Sequence, residues 1–173
     1  IVPEVNPDRI DSTSRLIANP NCSTIQMCVA LAPFDQAFGI RRIIVSTYQA
    51  ASGAGKEAME ELIGQTKAYA NGSPLKAEKF PYPLLFNLIP HIDRFEENGY
   101  TREEMKMVNE TRKIMHDDTI QVCPTCVRVP VLRSHAESIV VEQARKVSVD
   151  EALAALSKAP GIKVADDRRW YFE

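Results

Sequence analysis

Ile43-Ile44-Val45-Ser46-Thr47-Tyr48-Gln49-Ala50-Ala51-Ser52-Gly53-Ala54-Gly55-Lys56-Glu57-Ala58 changes its periodicity midway, and that change decides the fold class. The β-branched and aromatic run predicts a strand over 40–49, ended by small residues. Ala50 to Gly55 predicts a loop, and Ala58, Met59, Leu62 and Ile63 fall on one face of an amphipathic helix from Lys56 to about Tyr69. Gly53 to Ala58 also fits the loose G-x-G-x-x-A pattern between a strand and a helix. No second strand ending in an acidic residue follows about 20 positions later, so a separate dinucleotide site is not expected here.

Upstream, Asn19-Pro20-Asn21-Cys22-Ser23-Thr24 precedes Ile25, Cys28 and Val29 at helical spacing. Asn21 or Cys22 falls at the N-cap of a helix that runs from Ser23 or Thr24 to about Phe38, with Gly39 as its left-handed cap and Pro33 kinking or splitting it. A thiol at a helix N-terminus meets unpaired N–H groups, which favour thiolate and can hydrogen-bond an oxyanion. That setting suits a nucleophile, and a buried inert cysteine fits these few residues equally well. Val2 to Asp11, with Pro3 and Pro7, reads as an entering connection, and Arg15 to Ala18 as a short apolar piece.

Downstream, Asn71 to Pro83 reads as a loop and Leu84 to Pro90 as a strand or strand end. Thr101-Arg102-Glu103-Glu104 is a capping box opening a helix to about Met115. Strands are expected over Val122 to Val131, interrupted or edged by Pro124 and Pro130, and over Ser138 to Val147. A helix follows from Val149 to about Lys158, and Ile162 to Glu173 reads as a last strand with a ragged end. Helices and strands interleave, giving an α+β or α/β class with a mixed sheet, of which α+β with helices on one face is the fold expected. Its 173 residues suit one domain, 1–173. A net charge of -2 leaves no basic face for nucleic acid, and no apolar run reaches the roughly 18 residues of a membrane span. A cytoplasmic protein with four reduced cysteines is the expectation, or a plastid one if the source is a plant. Cys123-Pro124-Thr125-Cys126 has no second pair to complete a zinc site and lies in a strand, so no metal is expected. His91 and His116 carry no motif.

Four segments, in order, resemble aspartate-β-semialdehyde dehydrogenases: Asn21 to Met27, Ser46 to Gly55, Glu103 to Thr111, and Cys126 to Val131 continuing through Ser134-His135-Ala136-Glu137. The resemblance implies the catalytic and dimerisation domain of that family, of the glyceraldehyde-3-phosphate dehydrogenase type. It implies reductive dephosphorylation of β-aspartyl phosphate to aspartate semialdehyde by NADPH with release of phosphate, in the synthesis of lysine, threonine and methionine. Cys22 resembles the nucleophile that forms a thioester, and His135 the acid/base, a role that imidazole suits near neutral pH. Gln49 resembles the glutamine that positions the substrate. Arg128 resembles the residue that grips its carboxylate, Glu103 the one that meets its ammonium, and Lys106 and Asn21 groups near the phosphate. Ser52 and Gly53 are the implied contacts to NADP, at its nicotinamide end only. A homodimer built through this domain is implied as well.

The family's N-terminal Rossmann domain and its closing strands and helix have no counterpart here, so the chain is expected to be a fragment with little reductase activity alone. Two other readings stay open: a cysteine-histidine hydrolase or acyltransferase using Cys22 and His135, and a non-catalytic dimerisation module.

Overall fold

The computed structural model describes residues 1–165. Among them the helices are α1 (Cys22–Phe38), α2 (Lys56–Ala70), α3 (Arg102–Met115) and α4 (Val149–Leu156), and the strands β1 (Ile40–Gln49), β2 (Gln121–Arg128) and β3 (Ala136–Gln143). The strands pair in the order β2-β1-β3. Arg42 bonds Gln121 near the two strand starts, and Val129 N donates to Gln49 O at the two ends, so β2 runs parallel to β1. Ala144 N donates to Gly39 O, which joins the end of β3 to the start of β1 and makes that pair antiparallel. The result is the expected mixed sheet in an α+β fold. Alternation along β1 buries Ile43, Val45, Thr47 and Gln49 on one face and turns Ile44 and Tyr48 outward. β2 lies at the end of this order, where Pro124 can sit without disrupting a central ladder.

The described residues form two compact units. One comprises 1–43, 110–121 and the described residues from Val141 on; the other comprises 44–109 and 122–140. In the first, Val2, Cys28 and Ile114 form a buried cluster flanked by Val5, Ile25, Val29 and Met115, and α4 packs on α1. Ser148 and Glu151 make a complete capping box at the start of α4, a signal the sequence carries as Ser-x-x-Glu. In the second unit Ala51, Ala58, Leu62, Phe80, Leu84 and Ile89 close over α2. The capping box at Thr101 is formed: Glu104 Oε2 accepts from Thr101 N at 2.7 Å, and Glu104 N donates to Thr101 Oγ1 at 3.3 Å.

Several sequence expectations are corrected. Pro33 does not split α1, which continues through it as one helix, with Leu31 and Ala32 buried before it and the Phe34 and Phe38 rings edge to face after it. Leu84 to Pro90 is not a strand. The amides of Leu84 and Leu85 both donate to Gln65 Oε1 at 2.9 Å, and Phe86 turns through a φ of 59°. Only Ile89 pairs, as an isolated bridge to Arg128. β3 is Ala136–Gln143 instead of 138–147, because Arg145 leaves the ladder for Glu151 and the Phe38 ring. The apolar piece at Arg15 to Ala18 stays outside the core, with Leu16 92% exposed. Ile162 to Ala165 is irregular, and the rest of the expected last strand lies outside the described residues.

Candidate active site

In the second unit the site-forming side chains sit where strands end and small residues begin. Gln49 is the last residue of β1 and Arg128 the last of β2; they are 1% and 6% exposed. Gln49 Nε2 donates to Thr47 Oγ1 at 3.2 Å and to Glu103 Oε1 at 3.3 Å, so a buried amide fixes a carboxylate that is itself 6% exposed. Glu103 stands in the first turn of α3, where the helix N-terminus tolerates its charge. Its other oxygen accepts from Lys106 Nζ at 3.3 Å, and Lys106 also reaches Asp93 Oδ2 at 3.3 Å. Burial opposes the ammonium of Lys106, but the carboxylates of Glu103 and Asp93 outweigh it and push its pKa up.

Arg128 is held at several points. Its backbone exchanges both hydrogen bonds with Ile89, its Nη1 donates to Ala50 O at 2.7 Å, and its guanidinium lies 5.9 Å from the centre of the Phe80 ring. His135 follows Ser134, whose φ of 70° turns the chain ahead of β3. Ala50 N donates to His135 Nδ1 at 3.1 Å, so the neutral ring carries its proton on Nε2. One peptide residue, Ala50, thus orients both the guanidinium through its carbonyl and the imidazole through its amide. Burial depresses the pKa of His135 first, and the Arg128 charge adds to it, against Glu103 and the Ser134 carbonyl. Ser52 and Gly53 lie in the 3-10 turn Ala51–Ala54, which the donations of Ala51 N to Val131 O and Ser52 N to Leu132 O fasten down.

The first unit holds Asn21 and Cys22. Asn21 is the N-cap of α1: its Oδ1 accepts from Thr24 N at 3.1 Å, and its own amide donates to Glu110 Oε2 at 2.7 Å. Cys22 is therefore the first residue inside α1, and it is exposed. Ser23 beside it is fully buried with an Oγ that finds no partner, and nothing in the structure explains that.

The structure thus gathers Gln49, Glu103, Lys106, Arg128, His135, Ser52 and Gly53 in one unit and places Asn21 and Cys22 in the other. Sequence reasoning missed Ala50, Thr47, Asp93, Glu110 and Glu137. Glu104 was visible as a capping residue, but its second bond, accepting from Cys126 N at 3.1 Å, was not. Cys123 and Cys126, three apart on β2, face opposite sides, one exposed and one buried, so they do not act as a dithiol. Burial pushes the Cys126 thiol up to about 12, which makes it inert. Glu137 carries a buried Oε1 without a hydrogen bond, and burial raises its carboxyl to about 7. His116 accepts from Arg9 Nε at 3.0 Å, and His91 stacks on Phe95.

Comparison with known proteins gives the chain its relatives. Residues 31–170 match the family model described as the semialdehyde dehydrogenase dimerisation domain. The chain is 54% identical over 170 residues to the aspartate-semialdehyde dehydrogenase of Aquifex aeolicus, covering 96% of this chain and 50% of that protein. It is 52% identical over 172 residues to that of Legionella pneumophila, again covering 96% of this chain and 50% of the relative. Among solved structures it is similar to aspartate semialdehyde dehydrogenase II from Vibrio cholerae complexed with ASA, at a TM-score of 0.90 and 51% identity, covering 93% of this chain and 48% of that one. It spans about half the length of these relatives. Matched over most of its length, the chain belongs to the family of the semialdehyde dehydrogenase dimerisation domain.

Proposed function

We propose that this chain is the thiol-bearing, substrate-binding part of an aspartate-semialdehyde dehydrogenase, acting as a homodimer in the synthesis of aspartate-family amino acids. The observation that carries the reading is the Ala50-centred cluster: a buried guanidinium, an imidazole and a Gln49-held carboxylate in one unit. A guanidinium and a carboxylate are the complements of the two charged ends of an amino acid.

In this reading Cys22 Sγ attacks the carbonyl of β-aspartyl phosphate. A sulfur–carbon bond forms, the carbon–oxygen bond to phosphate breaks, and phosphate leaves with the electron pair, giving a thioester. Arg128 pairs with the substrate carboxylate, Glu103 with its ammonium, and Gln49 orients it; Lys106 and Asn21 attend the phosphate. His135 takes the thiol proton and returns it to the oxygen on which charge develops. Ser52 and Gly53 fit the nicotinamide end of NADP, since the glycine leaves bare backbone beside the His135 edge. That cofactor, when bound, supplies the hydride.

Protection against alkylation tests this. Iodoacetamide should label Cys22 faster than free cysteine, and aspartate semialdehyde with phosphate should slow it. Labelling no faster than free cysteine and without protection would identify a dimerisation module. Hydrolysis of a thioester substrate without nicotinamide would identify a hydrolase.

A further inference from the structure

We propose that Gly53 is a positioning residue whose missing side chain keeps Arg128 and His135 together. This rests on the roles proposed above for those two residues. A Cβ at position 53 would come within 2.9 Å of Arg128 Nη1 and 3.1 Å of both Cε1 and Nε2 of His135. The demand is for space and not for backbone freedom. Gly55, two residues on, has a φ of 95° and open surroundings, so it is glycine for its conformation; Gly53 avoids that left-handed region and is glycine for its neighbours.

A side-chain end usually swings away from such a contact at little cost. For these two the swing costs a hydrogen bond each, because both are tied to the same peptide residue: Nη1 donates to Ala50 O at 2.7 Å, and Nδ1 accepts from Ala50 N at 3.1 Å. Ala50 is fully buried, so its amide loses its partner if the ring moves, while its carbonyl exchanges the charged Arg128 donor for the Gly53 amide alone, at 3.1 Å. A methyl group at position 53 therefore acts as a wedge, displacing guanidinium, ring or both. The charged groups bearing on the ring are Arg128, at the end of β2, and Glu103, on α3. Weakening the Arg128 influence leaves the ring freer to take a proton, so His135 then titrates at higher pH.

The test compares the 173-residue chain with Gly53→Ala and with Gly64→Ala, a control on α2 where an added Cβ meets nothing within 4 Å. Gly53→Ala should weaken aspartate semialdehyde binding about tenfold and move the His135 ring resonance, assigned by its loss in His135→Asn, to a higher titration midpoint. Gly64→Ala should change neither. In an Arg128→Ala background Gly53→Ala should add no further loss of binding. An unchanged His135 titration in Gly53→Ala overturns the proposal. Should Gly53→Ala unfold the chain, adding it to an Arg128→Ala, His135→Ala background must lower the thermal midpoint no further than those two changes do alone, and a further loss also overturns it. If the unaltered chain binds no aspartate semialdehyde, the functional reading fails while the His135 shift still decides the spacing claim.

Discussion

Cys22 and the Ala50 cluster are built in opposite ways. Cys22 gets its setting chiefly from one helix start, an asparagine cap bonded to the Thr24 amide, with a single distant partner, the Glu110 carboxylate of α3, steadying the cap. The cluster draws Gln49, Glu103, Arg128 and His135 from the ends of β1, α3, β2 and the turn before β3, with Ala50 fastening two of them through its backbone. A local device survives local change and depends on propensity. A non-local one depends on every contributing element arriving in register, so a single added methyl group, or one lost backbone partner, is felt across it.

Substitutions at the two regions should separate these behaviours. The largest effect is expected at Cys22. Cys22→Ser should lower turnover of aspartate semialdehyde, in the chain joined to a relative's nucleotide-binding half, by about 10³-fold or more while leaving thermal unfolding unchanged. Next comes Glu137, whose carboxyl is raised to about 7 by burial from 4.5. The folded form keeps a proton that the unfolded form has lost, so stability present below about pH 4.5 declines as pH rises through 7, by up to ~3 kcal/mol. Glu137→Gln should flatten that decline in thermal midpoints measured from pH 4.5 to 8; an equally steep decline would show that Glu137 is not its source. Arg128→Lys should weaken aspartate semialdehyde binding by ~2 kcal/mol, read by calorimetry, because an ammonium cannot span Ala50 O and a bidentate carboxylate at once. The smallest change is Asn21→Ala, a cap loss of ~1 kcal/mol that should lower the thermal midpoint by about 2–4 °C and leave the His135 titration where it was.

Legibility in the sequence follows the same division. α1, β1, α2 and the start of α3 were readable because caps, periodicity and the small-residue break at Ala50 are local signals. Leu84 to Pro90 misled because its apolar run resembles a strand, while its amides belong to the distant Gln65 side chain. Resemblance supplied Arg128 and His135 as residues but could not show why they stand together. The answer is the backbone of an alanine and the absence of a side chain at Gly53, and neither leaves a chemical signature in the letters. Glu137 was hidden for a related reason: its character comes from burial on β3, not from residue type or spacing.

The most direct test of the proposed chemistry is the pH dependence of Cys22 alkylation by iodoacetamide in the unaltered chain and in His135→Asn. The account predicts that labelling near pH 7 slows by about tenfold or more when the imidazole is removed, with the difference vanishing at high pH, where the thiol ionises unaided. Identical rates across the whole range would contradict it.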